Sequence, residues 1–389
     1  MNRSRLISSA LALMLALVFM LSAIGQAPVA PDLRGAIEQV DALAAAEFAK
    51  DNRGSVTVGI VSGPELVWTK SYGYADMEKK TPATKDTVYR IGSITKQFTG
   101  LMLLQLVEAG KVRLSDPVEK YFPEVNKVEG RFAGAPPITL VQLATHTSGL
   151  GREPADLPTY LKGPVSEWEK VMIAALPRTK YDFEPGTRFS YSNIGYAVLG
   201  AALSRAAGQS YVDYVSQKIF APLGMTHTAF EPNEKIKPHL AKGYGVQGDR
   251  VDAETPEREH QGRGYKVPNG AMYTTVGDLA QFLAFELGHG PESALKKETL
   301  EDNFKRVNSA SGDLSEGYGI GFQVERHGSL IVYGHGGAVA GYLAGAFIDR
   351  ASGVGVIVLR NVSGGSFNIP GLMMRSLETL AASRRGSKP

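Results

Sequence analysis

Residues 90–98 read RIGSITKQF, and the fold turns on whether Ser93 and Lys96 open a helix as a working pair or merely fall three apart. Positions three apart on a helix share one face, with Cβ atoms about 5–6 Å apart, so Lys96 can reach the Ser93 hydroxyl. The first turn of a helix also has free N–H groups, which together with the helix dipole favour negative charge on an attacking oxygen. To accept a proton, Lys96 has to be neutral near pH 7. Lowering a lysine pKa from about 10.4 to about 7 takes some 4–5 kcal/mol, and a helix N-terminus supplies less than about 2 kcal/mol of that. Burial or further polar partners must supply the rest. A chain of this size holds about one Ser-x-x-Lys by chance, so the surrounding segments decide.

One such segment is FEPGTRFSYSNIGYAVLG at 183–200. It has a Pro185-Gly186 turn, an extended piece, and Tyr191-Ser192-Asn193 at the mouth of a helix; no other Tyr-x-Asn occurs in the chain. A phenol beside a cationic lysine ionises more easily, so Tyr191 can relay a proton from Ser93 to a leaving group while Asn193 holds Lys96 and substrate. The bland alternative is a core tyrosine and a helix cap. A third segment, YGHGGAVAGY at 333–342, sets His335 after a strand and follows it with Gly336 and Gly337, where substrate backbone can approach closely. The Ala338 N–H can join that of Ser93 as an oxyanion hole, each donor being worth about 3–4 kcal/mol.

Outward from these segments, DLRGAIEQVDALAAAEFAKDN at 32–52 repeats apolar residues near helical spacing. SVTVGIVS and ELVWTKSYGYAD read as strands joined at Gly63-Pro64. YGIGFQVE, SLIVYG, YLAGAFID and GVGVIVLRN repeat that grammar near the C-terminus, with turns at His327-Gly328, from Gly336-Gly337 onward, and at 350–353. Short connections favour antiparallel pairing. Between the two groups the chain is helical: SITKQFTGLMLLQLVEAG closes at Gly110, NIGYAVLGAALSRAAGQ at Gly208, and TTVGDLAQFLAFEL opens with Thr275 and Asp278 in capping positions. The expected class is α/β of the α+β type: an antiparallel sheet built from both chain ends and flanked by helices, with a mainly helical lobe inserted. The boundaries are a sheet lobe at 32–92 and 288–380, a helical lobe at 93–287, and a disordered tail at 381–389, with the site in the cleft between lobes.

The chain has 389 residues, 43% hydrophobic and 21% charged, enough for a large core. Arg3 and Arg5 precede an apolar run from Leu6 to Ile24, the grammar of a secretory signal over 1–25 cleaved after Gly25, or of an uncleaved anchor. Both readings put the remaining domain, 26–380, outside the cytoplasm, secreted or periplasmic. There is no cysteine, which excludes disulfides, thiol nucleophiles and a lipid-bearing cysteine. Without Arg3 and Arg5 the formal charge drops from +3 to +1, so nothing points to nucleic acid; the partner is a small molecule or peptide. His227, His239, His260, His289 and His327 have no metal-ligand spacing, His146 reads as a structural hydrogen-bonder, and Trp68, Trp168, Phe189 and Tyr342 can line the cleft, Tyr342 above all, with packing the default reading for each. No Gly-x-Ser-x-Gly elbow and no phosphate-binding Gly-rich loop occurs. Neither a cofactor nor a metal is expected.

In the order SITK, YSN and HGG, and in the flanks QLATHTSGL, FEPGTRFSYSNIGY, PLGMTHT and PNGAMYTTVGDLAQF, the chain resembles the serine β-lactamase and penicillin-binding-protein superfamily. The likeness is to the branch of class C β-lactamases, D-alanyl-D-alanine carboxypeptidases and family VIII esterases, and it covers nearly all of the chain after the signal. It implies a β-lactamase/transpeptidase-like fold. It also implies an acyl-enzyme on Ser93, Lys96 and Tyr191 as proton-transfer partners, Asn193 as a polar anchor, and Ser93 with Ala338 as oxyanion donors. Whether Lys96 or Tyr191 is the base stays open. His335 stands where the branch often has a fixed lysine. With a reference pKa near 6.5, His335 leads to an expectation that carboxylate-bearing substrates gain relative to neutral esters as pH falls from about 8 to 6, unless an arginine helps. Peptidase or esterase activity on D-amino-acid peptides or small acyl esters is expected ahead of β-lactamase activity proper. The rival is a silent sensor that binds peptidoglycan fragments or β-lactams.

Overall fold

A computed structural model describes residues 33–312 and 315–386. The signal-like stretch 1–25 and residues 387–389 lie outside the described residues. The first helix, α1 (Arg34–Phe48), precedes the expected hairpin β1 (Ser55–Ser62) and β2 (Glu65–Asp76), which turns at Gly63. A short β3 (Thr81–Pro82) pairs onto β2. The C-terminal part supplies β4 (Asn308–Ser309), β5 (Glu316–Tyr318), β6 (Gln323–His327), β7 (Leu330–Val339), β8 (Tyr342–Asp349) and β9 (Val354–Arg360). The nine strands form one sheet in the order β3-β2-β1-β9-β8-β7-β6-β5-β4. Its β1–β9 seam joins the two chain ends, with Val56 opposite Arg360 and Ser62 opposite Val354.

Alternation along the strands divides two cores. One face packs Val56, Val58, Val356 and Val358 against α1 and the last helix, α5 (Ile369–Gly386). The other face packs Ile357, Leu359, Ala344 and Ala346 against the inserted helices. Among these, α2 (Thr95–Glu108) is buried almost all round, as expected for a helix at the centre of a large domain. α3 (Asn193–Ala207) ends at Gly208, whose φ of +69° closes the helix without strain. α4 (Val276–Ala284) is capped by the Thr275 side chain accepting from the Asp278 N–H.

Four expectations need correction. α4 does not belong to the helical lobe ending at 287: Val276 seats against Gly59 of β1, and Leu283 lies against Gly355 of β9, so the sheet lobe takes in residues from 276 onward. YGIGFQVE is not one strand, because Gly319 N–H bonds back to the Phe322 carbonyl and folds the chain between β5 and β6. β7 does not stop before the glycines but continues through Gly336 and Gly337 to Val339, turning only at Gly341. Lastly, 381–386 is not a disordered tail: α5 runs on to Gly386, with Leu380 and Ala381 buried against the sheet.

Candidate active site

Ser93 sits in a tight helical turn, Gly92–Ile94, that leads into α2. Two glycines let β7 lie directly on that turn. Gly92 has φ +51°, and a Cβ there would fall 2.8 Å from the Ala338 nitrogen; a Cβ on Gly337 would fall 1.9 Å from the Ile91 carbonyl oxygen. Any side chain at either position would push the strand off the nucleophile. Along β7, Gly336 N–H points away from β8, since it donates to the Gln323 side chain at 2.9 Å. Ala338, two residues on, shares that direction, and β6 pairs no further than Gln323 opposite Gly334. The Ala338 N–H is therefore aimed from an unpaired strand edge at the turn carrying Ser93, which is the arrangement an oxyanion hole requires.

Lys96 lies behind Ser93, 0% exposed. Its Nζ makes three contacts: Ser93 Oγ at 3.2 Å, Asn193 Oδ1 at 2.7 Å and the Asn269 carbonyl at 3.0 Å. Burial pushes its pKa well below the usual lysine value, reinforced by the Lys266, Arg152 and Arg263 cations and opposed by Glu153. What the helix terminus cannot supply thus comes from desolvation and neighbouring cations.

Tyr191 closes the other side of Ser93. Burial raises its pKa above the usual tyrosine value, with a hydrogen bond to Ser93 and the Arg152 charge pulling it back only in part. It is held by a box of rings: His146 stacks against it with centroids 4.2 Å apart, and Tyr318 and His335 sit edgewise and tilted at 6.2 and 6.1 Å. Ser192 pins the segment by donating its N–H to His146 Nδ1 at 3.0 Å and its hydroxyl to the Gly151 carbonyl at 2.8 Å. With Nδ1 an acceptor, His146 carries its proton on Nε2, which lies buried among the rings with no hydrogen-bond partner. His146 is thus the structural hydrogen-bonder the sequence suggested.

All eight residues singled out from sequence converge here: Ser93, Tyr191, Asn193, His335, Gly336, Gly337 and Ala338 line a cleft of about 900 Å³, with Lys96 buried behind it. Phe189, one of the aromatics that could line the cleft or merely pack, lines it. The part expected of His335 is overturned. It is 2% exposed, its Nε2 accepts from the Tyr318 hydroxyl at 2.9 Å, and its Nδ1 donates to the Gly336 carbonyl. Burial, with the Lys96 charge behind it, pushes its pKa down to about 3. A ring neutral throughout pH 6–8 cannot make carboxylate recognition stronger as pH falls, so that expectation fails; the ring instead props up β7.

Sequence reasoning missed the groups behind Lys96 and Tyr191. Glu153 accepts from Asn193 Nδ2 and from Lys266 Nζ, both at 2.6 Å, and from the Tyr265 hydroxyl. Asn269 donates its Nδ2 to the Asn193 carbonyl at 2.9 Å. Pairing of Tyr89–Arg90 with Tyr273–Thr274 brings the 265–272 stretch beneath Ser93. Arg152 lines the cleft with its guanidinium 4.9 Å from the Tyr191 ring centre, and no carboxylate lies within ion-pair distance of it among the described residues. PNGAMY flagged Asn269 only as a flank, and Glu153, Lys266 and Tyr318 carry no local signal. No group of acidic, histidine or cysteine side chains that could hold a metal occurs among the described residues.

A hydroxyl facing a buried amine and a phenol, with one strand-edge and one helix-start amide beside it, is the kind of arrangement that nucleophilic serine chemistry requires. Residues 39–371 match the Beta-lactamase family, and the chain belongs to it. It is 28% identical over 330 residues to Protein flp of Staphylococcus aureus (strain MRSA252), an alignment covering 84% of this chain and 63% of that protein, so the chain spans less than two thirds of that relative's length. The octameric penicillin-binding protein homologue from Pyrococcus abyssi has a similar structure, at TM-score 0.75 and 27% identity over 89% of this chain and 77% of that one. D-amino acid amidase from Ochrobactrum anthropi SV3 shares the fold at TM-score 0.75 and 24% identity, over 90% and 99% of the two chains.

Proposed function

We propose that the protein hydrolyses amide or ester bonds through an acyl-enzyme on Ser93, with Lys96 as general base and Tyr191 as the acid that protonates the leaving group. One observation carries the assignment of base and acid: burial acts on the two groups in opposite directions. It makes the lysine easier to deprotonate and the tyrosine harder, so the first is suited to accept a proton and the second to donate one. Ser93 Oγ forms a bond to the substrate carbonyl carbon while its proton passes to Lys96 Nζ. The oxyanion rests on the Ser93 and Ala338 N–H groups. Its collapse breaks the bond to the leaving nitrogen or oxygen, which takes the Tyr191 proton; the ammonium and phenolate left behind then exchange a proton. Water repeats the sequence on the acyl carbon and frees Ser93.

D-Amino-acid peptides lead the substrates, together with D-amino-acid amides, the kind named for the Ochrobactrum amidase that shares this fold, with small acyl esters next. Arg152, free of carboxylate partners among the described residues and facing the cleft, is the cation we assign to a substrate carboxylate. The test uses the protein without residues 1–25, incubated with an activated ester and with a labelled penicillin. A mass increase on the Ser93 peptide together with turnover is expected. Label without turnover would favour a sensor, and turnover that survives Ser93→Ala would overturn the enzyme reading.

A further inference from the structure

The reading of Lys96 as the base of Ser93, on which this inference rests, leaves Glu153 and Lys266 without a task. Lys96 Nζ faces two groups that can only accept hydrogen bonds, Asn193 Oδ1 and the Asn269 carbonyl, and one hydroxyl, Ser93. A neutral amine has two N–H bonds and one lone pair. The two carbonyls take the N–H bonds, so the lone pair is left pointing at Ser93 Oγ. Asn193 turns its oxygen to Lys96 because its Nδ2 is held by Glu153 Oε1 at 2.6 Å; a flipped amide would set oxygen against carboxylate and N–H against N–H. Glu153 itself is part-buried and would, if unpaired, place an anion one amide away from Lys96. Lys266, 8% exposed, sits on it at 2.6 Å and cancels that charge.

We propose that Glu153 and Lys266 are positioning residues for Lys96 that act with opposite signs: Glu153 locks the Asn193 amide and with it the direction of the Lys96 lone pair, and Lys266 keeps Lys96 in its neutral form by cancelling the Glu153 charge. The other charged and titratable groups facing Lys96 are Arg152 and Arg263, the His146 and His335 rings, and the Tyr191 and Tyr196 rings, whose centres lie 4.8 and 5.5 Å from Nζ. The cations add to the effect of Lys266, whereas the two histidines are themselves held neutral by burial. Glu153 is thus the anion that opposes deprotonation of Lys96.

The two residues therefore carry opposite signs, and a pH profile separates them from mere scaffolding. In kcat/KM for a p-nitrophenyl ester between pH 4 and 10, activity rises with pH as Lys96 loses its proton. Lys266→Met uncovers the Glu153 carboxylate and moves that rise to higher pH by about one unit. The near-isosteric Glu153→Gln removes the anion and moves it to lower pH. The double variant returns close to the wild-type position, and Lys266→Arg, which keeps the charge, leaves the rise in place. Loss of activity with an unmoved profile, or shifts of the same sign in both single variants, would overturn the proposal. Failure of the underlying reading shows separately, as turnover persisting in Ser93→Ala.

Discussion

Lys96 and Tyr191 flank the same hydroxyl, yet one ends a chain of amides and charges and the other is clamped among rings. On the lysine side, contacts of 2.6–3.0 Å link Lys96, Asn193, Asn269, Glu153 and Lys266, with Asn269 Oδ1 left without a partner. On the tyrosine side, His146, Tyr318, Phe189 and His335 supply mostly ring faces, and His146 Nε2 finds no partner. Desolvation is shared by both sides; what differs is the form it favours. It discharges an ammonium and preserves a phenol, so one dry environment prepares a base and an acid on either side of a single serine. The polar chain adds control of charge, and the aromatic box adds rigidity.

The largest test of that contrast is Lys96→Met, which removes the base with little loss of volume. kcat/KM should drop by about 10³-fold on ester and amide alike. An activated ester that still turns over at near wild-type rate would break the contrast. Tyr191→Phe comes next and should be selective: about 10²-fold on an amide, whose leaving nitrogen needs a proton, and much less on a nitrophenyl ester. Equal losses on both would mean that Tyr191 takes part in the attack.

Tyr318→Phe probes the box itself. It strips the donor from His335 Nε2 and leaves a buried acceptor unpaired, a cost of about 1–3 kcal/mol that scanning calorimetry would read as a Tm lower by a few degrees. Acid adds a further reading. His335 has a folded pKa near 3, below its unfolded value, so the unfolded chain binds the proton first. Its contribution to stability is full above about pH 6.5 and drains as pH falls toward 3. Thermal melts should accordingly lose Tm from pH 7 to 4, less steeply in His335→Asn. The smallest effect expected is none: the preference for a carboxylate-bearing substrate over its amide should change less than about twofold between pH 8 and 6, because the cation assigned to the carboxylate is a guanidinium and not an imidazole.

The sequence carried the hairpin, the Gly-terminated helices, the sheet made from both chain ends, and the three stretches that meet at Ser93. Each of these is written in local chemistry: a turn pair, a cap, a spacing. It did not carry the partner of α4, because helical periodicity says that a face is buried and not what covers it. Nor did it show that YGIGFQVE bends, since glycine alternating with apolar residues reads as strand until Phe322 folds over Gly319. Glu153 and Lys266 lie 113 positions apart and meet only in the fold. His335 was misjudged for a similar reason: its pKa depends on burial and on the Lys96 charge behind it, and no neighbour in sequence reports either.

The antiparallel packing of α1 and α5 has a practical consequence. Glu47, at the end of α1, binds the Asn368 N–H and Arg375 at the start of α5, while Arg384 and Arg385 near its end reach Ser62 and Ser329. Ser62 and Ser329 border the strand ends opposite to those that frame Ser93. Leu33 and the end of α5 thus lie on the side of the molecule away from Ser93, so an affinity handle or a solid support fixed at either point would leave the mouth of the cleft open to large polymeric substrates.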